Sequence, residues 1–102
     1  GGQAIIGLKY GLGEGQTLQN LTASRAAATN YTNTTGRTIY AIIRMVIAAG
    51  VTSDGLLDGS IVSTLGNNGT GGTTVTHLLI IKADQVYRIN GGTITTWFEM
   101  RT

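Results

Sequence analysis

Apolar residues recur along this 102-residue chain with a period of two, not 3.6. Successive side chains of a strand point to opposite faces, so this period predicts β-structure. The clearest run spans residues 38–48. There Ile39, Ala41, Ile43, Met45 and Ile47 fall on one face, and Tyr40, Ile42, Arg44 and Val46 on the other. Both faces are largely apolar, which predicts a strand buried on both sides or facing a partner subunit. A second long strand is expected over 73–82, with Val75, His77, Leu79 and Ile81 on one face and Leu78 and Ile80 opposite. Shorter strands are expected over 3–9, 17–23 and 60–65. The segments 10–15, 51–59 and 66–72 are glycine-rich and read as loops. Residues 26–28 suit a helical turn. The C-terminal part reads as a hairpin, with strands over 86–89 and 93–101 joined by Asn90-Gly91-Gly92. On its last strand, Phe98 and Met100 share a face with Ile94 and Thr96 and are expected in the core. Trp97 shares the opposite face with Thr95, Glu99 and Arg101, where it is expected to anchor a subunit contact.

About seven strands joined by such turns predict one all-β domain, an antiparallel β-sandwich. The composition agrees. Sixteen glycines, no proline and abundant Thr, Ile and Val suit pleated strands and tight turns. Hydrophobic residues reach 41% and the net charge is only +2, which excludes a disordered chain. With 12% charged residues, a domain this small is expected to hide part of its surface in an oligomer. No apolar run approaches the roughly 20 residues of a membrane helix, so membrane insertion is not expected. The start lacks both a basic leader and an initiator Met, so the chain reads as a piece of a longer protein.

Catalytic constellations are scarce. One His and no Cys leave no metal-ligand spacing within one chain. Asp54 and Asp58 are the only closely spaced carboxylates; they could act as an acid–base pair or half a cation site, but suit turns that bind backbone N–H groups. The glycines of 11–15 lack the spacing and the following helix of a phosphate loop. His77 is expected as a half-buried, hydrogen-bonded residue; near a threefold axis, three copies of it could instead bind a metal. The seven basic residues are scattered without an aromatic platform, so nucleic-acid binding is not expected. No enzymatic activity and no cofactor are expected.

Three segments resemble a known family. They are Thr22-Ala23-Ser24-Arg25, preceded by Gly15-Gln16-Thr17-Leu18-Gln19; Tyr31-Thr32-Asn33-Thr34-Thr35-Gly36-Arg37; and the closing Trp97-Phe98-Glu99-Met100-Arg101. Together they resemble the C-terminal tip domain of phage tail fibres and of R-type bacteriocin fibres. Leu18 stands where that family usually has Trp, which puts a stacking contact there in doubt. The resemblance implies a homotrimeric tip that attaches non-covalently to a bacterial surface saccharide or outer-membrane protein. It places the chain at the virion's fibre tip, with residues 1–10 linking to the fibre shaft. The alternative implied role is a structural cap that registers the trimer while recognition lies elsewhere.

On this reading the receptor candidates are Asn67, Asn68 and Thr70 in the 66–72 loop, with Asp54, Tyr31 and Tyr87. Asn side chains and hydroxyls suit sugar hydroxyls, and loops can vary without disturbing a core. The trimer-interface candidates are Trp97, Tyr40, Ile42 and Arg44. Arg25 could meet a receptor anion or form an internal salt bridge.

Overall fold

The structure, a computed structural model, describes residues 14–102. The strand expected over 3–9 and the glycines of 11–13 lie outside them. Eight strands follow: β1 (Thr17–Asn20), β2 (Tyr31–Thr32), β3 (Ile39–Ile47), β4 (Thr52–Leu57), β5 (Ser60–Gly66), β6 (Thr73–Ile81), β7 (Val86–Asn90) and β8 (Thr93–Arg101). The described residues contain no α-helix. A single 3-10 turn, Thr22–Ser24, cuts short the strand expected over 17–23. Ala27 and Ala28 form an isolated turn.

All pairing is antiparallel. One sheet has the order β1-β8-β3-β6, the other β2-β7-β4-β5. Four pairings follow one rule: β1 with β8, β2 with β7, β3 with β6, and β4 with β5. This is one long ribbon folded at β4–β5 and rolled up, the arrangement of an eight-stranded jelly roll. The fold at its tip is tight. Asp58 and Gly59 have φ of 51° and 82°, the two left-handed positions of a type I′ turn.

The 51–59 segment is therefore not a loop, as expected, but contains β4. Its Ser-Asp-Gly sequence looks like a turn, yet Ser53 and Gly55 face inward between bulkier strands. The expected C-terminal hairpin is also corrected. β7 and β8 lie in different sheets, and the connection between them crosses the sandwich. Gly91 and Gly92 have φ of 83° and 85°, and a Cβ on Gly91 would strike the Thr52 carbonyl oxygen. Glycine permits this close crossing; it does not mark a two-strand turn.

The core lies between the sheets. Ile39, Ala41, Ile43 and Met45 of β3 pack with Leu79, Ile81, Tyr87, Ile89 and Trp97. The face assignments for β3 and β6 hold. That for β8 does not. Trp97 and Glu99 point inward and are both 0% exposed, whereas Phe98 and Met100 lie on the outer face. The cause is twofold. A register shift beside Thr95 puts Ile94 on the same face as Trp97, breaking simple alternation. Glu99, whose charge suggests a solvated row, is instead buried among donors.

Candidate functional site

The three resembling segments meet at Glu99. β1 pairs with β8 as far as Asn20 opposite Phe98. The chain then turns, with the Leu21 N–H donating to the Trp97 carbonyl (2.8 Å) and the Trp97 N–H to Thr22 Oγ1 (2.9 Å). This turn delivers Arg25 across the sandwich's edge. Its Nε donates to Glu99 Oε2 at 3.1 Å and its Nη2 to Oε1 at 3.4 Å. Arg101 Nη1 donates to Oε1 at 2.9 Å. Tyr87 Oη and Trp97 Nε1 donate to Oε2 at 2.8 and 2.9 Å. Four side chains thus surround one carboxylate with donors, the arrangement a buried charge requires.

Aromatic rings build the wall around it. Tyr31, Tyr87 and Trp97 have ring centroids 5.8–6.3 Å apart in tilted or edge-on pairs. The Arg25 guanidinium sits 4.7 Å from the Tyr31 ring centroid. Tyr31 Oη accepts the Ala26 N–H at 2.7 Å. Burial pushes the Tyr87 phenol up to about 12, reinforced by the Glu99 charge and its hydrogen bond and opposed by Arg25. The Arg25 guanidinium is raised further above its ordinary range: burial alone would lower it, but the Glu99 hydrogen bond and charge outweigh that.

One receptor candidate is corrected here: Tyr87 is buried in the core. Tyr31 is half-buried and packs against Arg25, Tyr87 and Trp97. Trp97 is also corrected as an interface anchor, since its own chain encloses it. Arg25 makes the internal salt bridge. Leu18, in the position where an aromatic stack was in doubt, is exposed on the outer face opposite Met100.

A second device occurs twice. Asn33 and Asn67 are both buried, at opposite ends of the β3–β6 pair. Asn33 Nδ2 lies 2.7–3.1 Å from the carbonyls of Arg37, Ile81 and Lys82. Asn67 Nδ2 donates to the Ile47 and Gly71 carbonyls at 3.0 and 2.7 Å. Each Oδ1 accepts the backbone N–H two residues on, from Thr35 and Gly69 respectively. Each Asn is therefore an Asx turn that also clasps the ends of two strands. Asn67 is not a free receptor contact. It pins the 66–72 loop and leaves Asn68 and Thr70 exposed on a fixed support.

His77 is fully buried, and its ring spans the two sheets. Its Nε2 lies 2.9 Å from Ser53 Oγ on β4, its Nδ1 2.8 Å from Ser63 Oγ on β5. Gly55 leaves space for it: a Cβ there would lie 2.9 Å from Leu79 Cδ2 and 3.4 Å from His77 Nδ1. Burial pushes the imidazole below its ordinary range, and the Asp54 charge opposes this. Enclosed within one chain, His77 cannot meet its copies on an axis, which removes the axial metal site. No cluster of three or more metal-ligating side chains occurs among the described residues.

Asp58 acts as a turn support, accepting Val86 N–H at 2.9 Å and Gln85 Nε2 at 3.2 Å. Asp54 is placed differently, on the outer face of β4 opposite Asn90 and Thr64. Thr64 Oγ1 donates to its Oδ1 at 2.9 Å, and Arg88 Nε donates to Asn90 Oδ1 at 2.7 Å. This face is polar. The outer face of the other sheet, which carries Tyr40, Ile42 and Arg44, is mostly apolar.

Sequence reasoning missed Glu99, Asn33 and the Ser53–His77–Ser63 bridge as determinants. The Asn-x-Thr and Asn-x-Gly spacings of Asn33 and Asn67 are a legible Asx-turn signal. Nothing in the sequence pairs His77 with its two serines. No family model, curated protein or solved structure matches the chain. The functional reading therefore rests on the resemblance of the three segments and on how they meet in space.

Proposed function

We propose that the chain is the receptor-binding tip domain of a phage or phage-derived tail fibre, a homotrimer that holds a bacterial surface saccharide or outer-membrane protein without a chemical step. One observation carries this reading. The segments that resemble the fibre-tip family lie far apart in sequence, yet Arg25, Tyr31, Trp97, Glu99 and Arg101 form one network in space. A chance likeness of short strings gives no reason for them to meet. The resemblance is thus a likeness of one structural device, and the fibre-tip role follows from it by analogy.

Asn68 and Thr70, exposed on the pinned loop, supply donors and acceptors for a receptor, and the half-buried Asp54 carboxylate on the outer face of β4 supplies a further acceptor. Three copies on one tip add avidity. The test is saturable binding of the purified, labelled protein to a panel of bacterial strains and to a glycan array. Binding without release of a cleaved saccharide is expected. Absence of binding to every strain and glycan, with the fold intact, favours the second reading. That reading is a structural cap for the fibre trimer, and its supporting observation is the apolar outer face of β1-β8-β3-β6.

A further inference from the structure

The outer face of an antiparallel sheet is ordinarily polar where it meets water. On the β1-β8-β3-β6 sheet it is not. Register fixes its rows. Leu18, Met100, Tyr40 and Ile80 stand side by side across all four strands. The next outward row is Asn20, Phe98, Ile42 and Leu78. Thr96, Arg44 and Thr76 form a third, and Val46 lies beyond. Seven of the eight residues in the first two rows are apolar or aromatic. Leu18, Leu78 and Ile80 are 52–59% exposed, and Val46 is 42% exposed.

Continuity across four strands separates this patch from scattered surface apolar residues. Half-exposed Leu and Ile side chains offer on the order of 80 Å² each, and the partly exposed aromatic, Met and Ile neighbours bring the face to roughly 500–600 Å². That is the upper end of the largest patch on ordinary monomers. It approaches the roughly 800 Å² that each partner contributes to a standard interface. Arg44, the single charge in the three rows, is exposed at their polar end and has no ion pair among the described residues. An apolar centre ending in an arginine is the composition of a subunit contact.

We infer that this face is where copies of the same chain pack together, the Leu18–Met100–Tyr40–Ile80 and Phe98–Ile42–Leu78 rows forming the contact and Arg44 its polar rim. The inference rests on the fibre-tip reading only for the number of copies; the face itself is argued from register and exposure. The face differs from the outer side of the β2-β7-β4-β5 sheet, where exposed Ile61 and half-buried Leu56 are interleaved with Asp54, Thr64, Arg88 and Asn90 instead of forming rows across all four strands.

Leu78→Lys combined with Ile80→Lys tests this. Both side chains already point to solvent in one chain, so the monomer's fold tolerates the change. Sedimentation equilibrium of the wild type at micromolar concentration is expected to give a multiple of 10.6 kDa. The double variant is expected to be monomeric, its dissociation constant raised at least about 100-fold by charges placed in an apolar contact. Near-ultraviolet circular dichroism of Trp97 should stay native in both. A double variant with the wild-type mass overturns the inference, as does a wild type of 10.6 kDa. A monomeric wild type that still binds cells removes this face as a contact between copies and leaves the receptor reading standing. An assembled wild type that binds no cell does the reverse.

Discussion

Glu99→Gln is nearly isosteric, and it separates the charge of the clamp from its shape. The amide keeps one carbonyl oxygen and replaces the other with an NH2. If the carbonyl takes the Oε1 position, the bonds from Arg101 and from Arg25 Nη2 survive. The NH2 then faces three donors: Arg25 Nε, Tyr87 Oη and Trp97 Nε1. The Tyr87 hydroxyl can turn and accept instead. The indole N–H and the guanidinium Nε cannot. Each stranded buried donor costs about 1–3 kcal/mol, and removing one partner of a buried ion pair costs about 3–5 kcal/mol in all. The two routes agree on about 3–5 kcal/mol, a large part of the roughly 5–15 kcal/mol that holds a typical domain together.

Urea unfolding reads this directly, because Trp97 is the chain's single tryptophan and touches the mutated group. The midpoint should fall with an unchanged slope. A double-mutant cycle adds the second arm. Arg25→Met alone should also destabilise, and the pair should cost well under the sum, since each change removes the reason for the other residue. A loss below about 1 kcal/mol for Glu99→Gln, or strict additivity with Arg25→Met, would refute the clamp as a determinant of the fold.

Asn67→Ala strands two carbonyls and an N–H and should cost about 2–3 kcal/mol, while Asn68→Ala should leave the melting temperature unchanged; equal effects would contradict the clasp. His77 binds a proton less readily when folded than unfolded, so the unfolded chain takes up more protons as pH falls below about 6.5, and stability should drop there by up to about 1.4 kcal/mol per pH unit. Thermal melts between pH 7 and 5 should show that slope in the wild type and lose it in His77→Gln. Alkaline titration followed at the tyrosinate absorbance should find one of the four tyrosines, Tyr87, lagging toward about 12, and Tyr87→Phe should remove that step.

Alternation alone places β3 and β6 correctly, down to the inward row of His77, Leu79 and Ile81. It succeeds because both strands are long and pair over nine residues without a bulge between them. It fails on β8 for a local reason. One extra residue at Thr95 changes the parity, and no residue type there announces it. The β7–β8 connection misleads in another way. Asn-Gly-Gly is the usual composition of a hairpin turn, but the same freedom at positive φ lets a chain pass from one sheet to the other. The choice depends on which strands are already paired, a long-range property that no local window contains.

The errors about polar residues share a single cause. Asn67 and Glu99 look like surface groups because a side chain's polarity is visible in sequence, while the groups that need it are not. Asn67 is buried because the Ile47 carbonyl at the end of β3 and the Gly71 carbonyl in the loop before β6 take its amide hydrogens. Asn33 is buried for the same reason at the opposite end of those strands. Glu99 is buried because Trp97 Nε1, Tyr87 Oη and Arg25 must each find an acceptor once their rings and stem enter the core. In each case the polar side chain serves donors or acceptors contributed by distant segments. A fold so rich in Thr, Asn and Gly therefore encloses polar side chains wherever its own backbone or ring N–H groups would otherwise go unpaired. Asn68 and Thr70 stay exposed without such a duty, whereas Asp54 is half-buried and accepts the Thr64 hydroxyl, so it is on the first two that the proposed receptor contact chiefly rests.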